Sequence, residues 1–379
     1  MLKINTTKPY NIFAEVIEQE ALNQFEAAMQ LDCVVQGALM PDAHAGYTLP
    51  IGAVVACKDT VFPAMVGYDI GCGMCAVPTT FNEQDIRNNA KQIFDQIYRD
   101  IPVGFSHNQK DTPWKNWEGI ERSLATEKIF AKNGLRQLGS LGGGNHFIEV
   151  GANSEGQVWF IIHSGSRGIG HAVATHYMRL ASGDGKAREG FFGFDVNTQD
   201  GKDYIKDLNF CLEFALANRY EMLQRVEKAV QRTCEGSALF DETINRNHNH
   251  AECTSIELPD VICEVWIHRK GATHAEEGMM GVIPGNMRDG SFIVCGKGNP
   301  ASLYSSSHGA GRVLGRKEAQ RVLNMEDFCA TMGQVTALVT KDTLDEAPFA
   351  YKNIFDVIRL QEPLVEVITH VKPIINIKG

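Results

Sequence analysis

Residues 158–168 read VWFIIHSGSRG, an apolar run that ends on His163 and breaks into a loop of small residues and one arginine. The run is short, rich in β-branched and aromatic side chains and bounded by glycine, which reads as a buried strand. Similar runs recur at 53–57 (AVVAC), 261–268 (VICEVWIH), 291–296 (SFIVCG) and 365–371 (VEVITHV). Between them, apolar residues follow helical spacing from Tyr10 to Met29, from Ile86 to Tyr98 and, longest, from about Ile205 to Thr233. Glycine-rich loops recur from residue 46 to 315 with no composition break, internal repeat or long linker. The expected fold is therefore α+β, a single large mixed domain over 1–379 with sheets in its core and helices flanking them. Two polar stretches, 104–133 and 181–203, read as excursions or lids.

Composition narrows the function classes. The chain is 44% hydrophobic and 22% charged, as a globular protein is. It has no apolar run near the ~20 residues of a membrane helix. Its start, MLKINTTKPYNIF, lacks the basic and apolar segments of a signal peptide, so no membrane association and a cytoplasmic location are expected. Ten scattered cysteines in a chain of this length read as reduced thiols. A net charge of −10 argues against coating nucleic acid by bulk attraction. It leaves room for a local basic floor from Arg167, Arg269, Lys270 and Arg312.

The chemistry sits in the loops. MPDAHAGYTLPIG (40–52) offers Asp42 and His44, which serve equally well as turn residues or as site residues. In VGYDIGCGMC (66–75), Asp69 and Cys72 are three apart with glycine on both sides of the thiol, which suits a cation better than apolar packing. SLGGGNHFIE (140–149) places an amide, an imidazole and an anion, Asn145, His146 and Glu149, after three glycines, a bare backbone that must turn or lie against something bulky. The 163–168 loop supplies hydroxyls, backbone N–H groups and Arg167, a set that suits phosphate. INRNHNHAE (244–252) carries His248 and His250 two residues apart, and only one is expected to join a site. HRKGATH (268–274), IPGNMRDGS (283–291) and SSSHGAGR (305–312) add a basic pair, an anion-friendly loop and His308.

Asp69, Cys72, His146, His163 and His248 together make a set of one acid, one thiol and three imidazoles. Five ligands for two metals favour a bridging Cys72, and mixed O, N and S donors suit Mn²⁺ or Zn²⁺ better than Mg²⁺ or Ca²⁺. His308 is left over, a candidate nucleophile or general acid/base.

From about Met40 to the last residue the chain resembles the RtcB family of RNA ligases. The resemblance is carried, in order, by DIGCGM, GGGNHFIE, HSGSRG, HRKGAT, PGNM, HGAGR and the terminal KPIINIKG. It implies a GTP- and Mn²⁺-dependent enzyme that joins RNA 3′-phosphate or 2′,3′-cyclic phosphate ends to 5′-hydroxyl ends. It implies two Mn²⁺ ions held by Asp69, Cys72, His146, His163 and His248, and His308 as the nucleophile that takes GMP from GTP. The implied guanylate site comprises Asn145, His146, Phe147, Ile148, Glu149, His248, Asn249, Pro284, Gly285, Asn286, Met287 and Ser291. His308, Gly309, Ala310, Gly311 and Lys378 complete it, with Glu149 on the guanine edge and Lys378 closing the pocket. The implied partners are RNA ends and GTP, with an accessory activating protein as a further candidate. Ser307 stands where family members often carry Cys. Two alternatives use the same residues: a dinuclear phosphoesterase that opens cyclic phosphates, and a non-catalytic binder of RNA ends.

Overall fold

A computed structural model describes residues 2–258 and 261–379. Two main sheets organise the chain. The larger runs, in spatial order, through Met280–Pro284, Ser291–Gly296, Val365–Lys378, Phe147–Ala152, Gln157–Ser164, Gly73–Asn82 and Ile244–Asn247, all antiparallel, with the short Thr336–Ala337 pairing parallel to Val365–Lys378 off this path. The smaller orders Tyr10–Ile12, Val34–His44, Ile51–Cys57, Val261–Lys270 and Asn249–Leu258. The α+β expectation from strand runs and helical stretches is met, and all ten cysteines are unpaired. No helix among the described residues is long and apolar enough to cross a membrane.

Side chains alternate across the large sheet with period two. Ile148, Val150, Phe160, Ile162 and Val77 face one core, closed by Ile93 and Ile97 of helix Ala90–Asp100 and by Met222 and Val226 of helix Gln199–Val230. Phe147, Ile161 and Met74 face the other side, against Val282, Ile293 and Val371.

Register puts the chemistry at one end of this sheet. Lys378 pairs with Phe147, Phe147 with His163, His163 with Met74 and Met74 with Arg246, so a single row crosses five strands. His146 and Cys72 lie one residue before their strands. His248 lies between Ile244–Asn247 of the large sheet and Asn249–Leu258 of the small one, where the chain crosses over.

Helical boundaries differ from the periodicity in three places. The Tyr10–Met29 stretch begins as the edge strand Tyr10–Ile12, and the helix is confined to Gln19–Met29. The Ile86–Tyr98 stretch falls in two helices, Glu83–Asn88 and Ala90–Asp100, that meet at Asn89. The long helix starts earlier than read, at Gln199, where the Thr198 side chain caps it. The 104–133 stretch is no lid: Trp114 and Phe130 pack with Phe210 and Phe214 of the long helix, and Trp117 packs on Phe130.

Candidate active site

Cys72 Sγ lies 3.4 Å from His146 Nε2 and 3.2 Å from His163 Nε2. Asp69 Oδ2 is 3.0 Å from His146 Nε2, and His163 Nε2 is 3.3 Å from His248 Nε2. His146 Nδ1 sits 2.9 Å from the Leu141 carbonyl and His163 Nδ1 3.2 Å from that of Asn145. Each Nδ1 therefore carries the proton and donates it, leaving an Nε2 lone pair aimed into the cluster. Lone pairs, a thiol and a carboxylate crowded this closely repel one another unless a cation lies among them, so the residues fit a metal. Burial drives His163 and His248 well below the usual imidazole range, which keeps both neutral as ligands must be. Burial acts against the Asp69 carboxylate, yet the neighbouring His146 ring and the Arg167 guanidinium hold it down, at about 2.

The five expected ligands converge. His250 does not: its ring stacks on His274 and its Nε2 meets Arg269, on the far side of the chain crossing. Arg269 there also holds Glu252 and Ser305. It thus belongs to a buried ion network and not to a basic floor.

Two cavities flank the cluster. One, of about 240 Å³, is lined by Asp69, Cys72, His248, Asn249, Lys270 and the rim residues Tyr47 and Tyr68. The other, of about 280 Å³, is lined by Phe147, Glu149, Pro284, Gly285, Asn286, Met287, Ser291, Gly309, Ala310, Gly311 and Lys378. Asn145 and His308 line both. His308 Nδ1 lies 2.7 Å from Asp42 Oδ2, an ion-pair distance without hydrogen-bond alignment. The same oxygen accepts the backbone N–H groups of His308 and Gly309 at 3.2 and 3.3 Å. Asp42 is thereby a site residue, while His44 lines the second cavity.

The second cavity ends in polar atoms with nothing to bind. Glu149 Oε1, Ser291 Oγ and Asn376 Oδ1 are buried without hydrogen-bond partners. Such groups cost free energy unless a ligand satisfies them, so the slot fits a polar heterocycle. At its side, Glu346 gathers Lys378 (2.8 Å), Arg316 (2.6 Å), Arg312 (3.2 Å) and the Tyr351 hydroxyl. Burial opposes the Glu346 charge, but Lys378 and Arg316 outweigh it and hold the carboxyl at about 2.

Burial pushes Glu149 up to about 8, against Ser291, Asn376 and Lys378, which favour the carboxylate. The folded chain then keeps a proton that the unfolded chain releases between the ordinary carboxyl value near 4.5 and about 8. Raising the pH through that window favours the unfolded state. The protein should lose roughly 2–4 kcal/mol of stability from this group between about pH 5 and 8.5. Glu149→Gln should remove that part of the slope in urea unfolding. Parallel pH profiles for the two proteins would refute the assignment.

Further placements depart from the sequence reading: of the residues implied for the guanylate site, His248 and Asn249 line the first cavity and not the second. Ile148 turns into the core and lines neither cavity. The Gly142–Gly144 run lies against side chains of the protein itself: a Cβ on Gly142 (φ 89°) would strike the Arg167 guanidinium, and Gly144 (φ 78°) faces Arg316. The bare backbone makes room for two arginines. Arg316, Tyr351, Glu346 and Asn376 escaped the sequence reading. Only Asn376 carried a local signal, a polar residue two before Lys378 on an apolar strand and hence on the same face.

A metal-competent cluster and a polar slot that meet at one histidine suit a metal-dependent enzyme of phosphate chemistry, and comparison with known proteins gives the family. Residues 24–379 match the family model described as tRNA-splicing ligase RtcB, and the chain belongs to that family. It is 35% identical to the RNA-splicing ligase RtcB of Escherichia coli strain K12, with 90% of each chain covered. It is 28% identical to the tRNA-splicing ligase RtcB of Pyrobaculum aerophilum, covering 98% of this chain and 95% of the relative. The RNA-splicing ligase RtcB homolog 1 of Entamoeba dispar is also 28% identical, over 94% and 82%.

Proposed function

We propose that this chain is, over residues 1–379, one catalytic domain that joins RNA 3′-phosphate or 2′,3′-cyclic phosphate ends to 5′-hydroxyl ends using GTP. The observation that carries this reading is the place of His308, which lines both the polar slot and the metal cavity. Asp42 stands at Nδ1 of His308, which leaves Nε2 as the nucleophilic nitrogen. Nε2 attacks the α-phosphate of GTP; a phosphorus–nitrogen bond forms, a phosphorus–oxygen bond breaks and pyrophosphate leaves. GMP then passes to the RNA 3′-phosphate as an anhydride, and the 5′-hydroxyl displaces GMP to close the new ester.

Glu149 and Asn376 receive the guanine edge, and ionised Glu149 accepts from its N–H groups. Lys378, Arg312 and Arg316 are tethered by Glu346 beside the nucleotide. Two Mn²⁺ ions held by Asp69, Cys72, His146, His163 and His248 would offset phosphate charge and acidify the attacking hydroxyl.

Two RNA strands, one ending in 3′-phosphate and one beginning with 5′-hydroxyl, should be joined by the wild type with GTP and Mn²⁺ and not by His308→Ala. Opening of a cyclic phosphate by both proteins, with no joining by either, would favour a phosphoesterase instead.

A further inference from the structure

The metal cavity has a rim that the reaction above leaves unused. Tyr68, one residue before Asp69, stacks its ring on His171 of helix Arg167–Ser182, with centroids 5.0 Å apart and planes 21° from parallel. His171 is exposed, and Tyr68 is half-buried. Tyr47 lines the same cavity with 63% of its surface exposed, and its carbonyl holds the ammonium of Lys270.

Size decides what this rim meets. At about 240 Å³ the cavity lies below the ~300–1,000 Å³ that encloses a drug-sized ligand. A nucleotide whose phosphate reaches Asp69, Cys72 and His248 therefore leaves its base at the mouth. The mouth offers aromatic faces there, and a base stacks on such a face whatever its identity.

Resting on the RNA-end reading above, we propose that Tyr68, backed by His171 and with Tyr47 on the same rim, is a stacking platform for the base of the terminal nucleotide on the 3′-phosphate strand. Tyr68 then acts in binding, apart from the transfer of GMP.

The test uses the full chain with Mn²⁺ and a short RNA bearing a 3′-phosphate and 2-aminopurine as its last base. Wild type and Tyr68→Phe should bind it and quench its fluorescence. Tyr68→Leu, which keeps apolar bulk without a π face, and Tyr68→Ala should bind about tenfold more weakly with little quenching. An RNA lacking only its terminal base should bind wild type as weakly as it binds Tyr68→Leu, with no further loss in the variant. A purely structural Tyr68 would not give that coupling.

Equal binding and quenching by wild type and Tyr68→Leu would overturn the platform. So would coupling to the 5′-hydroxyl strand alone. If wild type binds neither RNA end, the RNA-end reading itself falls and takes the platform with it.

Discussion

Arg219→Met is expected to destabilise the protein by about 3–5 kcal/mol and to abolish the ordered ligand cluster. Arg219 is fully buried at the middle of the long helix Gln199–Val230. Its Nη1 donates to the carbonyls of Gly71 (2.8 Å) and Ser164 (2.9 Å). Its Nε and Nη2 donate to the side-chain oxygens of Asn245 and Asn247, both at 2.7 Å. Gly71 precedes Cys72, Ser164 follows His163 and Asn247 precedes His248, so one guanidinium ties three ligand-bearing loops together. Burial lowers Arg219 to about 10, still charged at neutral pH. Asn218 beside it holds the backbone of Gly139 and Ser140 and the carbonyl of Gly165.

Methionine fills the volume but leaves four acceptors without donors, each worth about 1–3 kcal/mol when buried. Lysine keeps the charge without the planar fork and should restore only part. Urea unfolding together with Mn²⁺ titration reads both effects. A variant within about 1 kcal/mol of wild type that binds metal normally would remove this role.

The second large effect is on rate. Asp42→Asn should lower RNA joining by roughly 10³- to 10⁴-fold while leaving the fold nearly intact, because a carboxylate that fixes an imidazole tautomer is worth about that much. Asp42 is fully buried and gives one oxygen to His308 Nδ1 and to two backbone N–H groups. Burial works against its charge, but His308 outweighs it and draws the carboxyl below the usual range. The amide is isosteric and neutral; it cannot stabilise the positive charge that the proposed attack by Nε2 would place on His308. Joining within tenfold of wild type would show that Asp42 only caps the loop.

Much of the site was legible because Cys72, His146, His163 and His248 lie at or beside strand ends, and strands announce themselves by apolar runs. His163, Cys72 and His146 stood out where glycine replaced the packing that a core residue would need. Asp42 and His44 stayed undecided, since Pro-Asp reads equally as a turn; the pairing with His308 is made 266 residues away. Arg219 was hidden because the helix stripe around it explains itself by packing, and a buried cation in a helix leaves no local mark. Glu346 binds residues from 312 to 378 and is likewise invisible to spacing. The glycines at 142 and 144 were legible as bare backbone, but what they make room for was not. His248 and His250 were separated only by the chain crossing between sheets.

Joining could fail for want of the right RNA, whereas the nucleotide step needs none. Incubation of the protein with α-labelled GTP and Mn²⁺, without RNA, tests the central claim most directly. The account predicts label on the protein that is acid-labile, alkali-stable and lost in His308→Ala. No adduct under any divalent metal, or label that survives in His308→Ala, would contradict it.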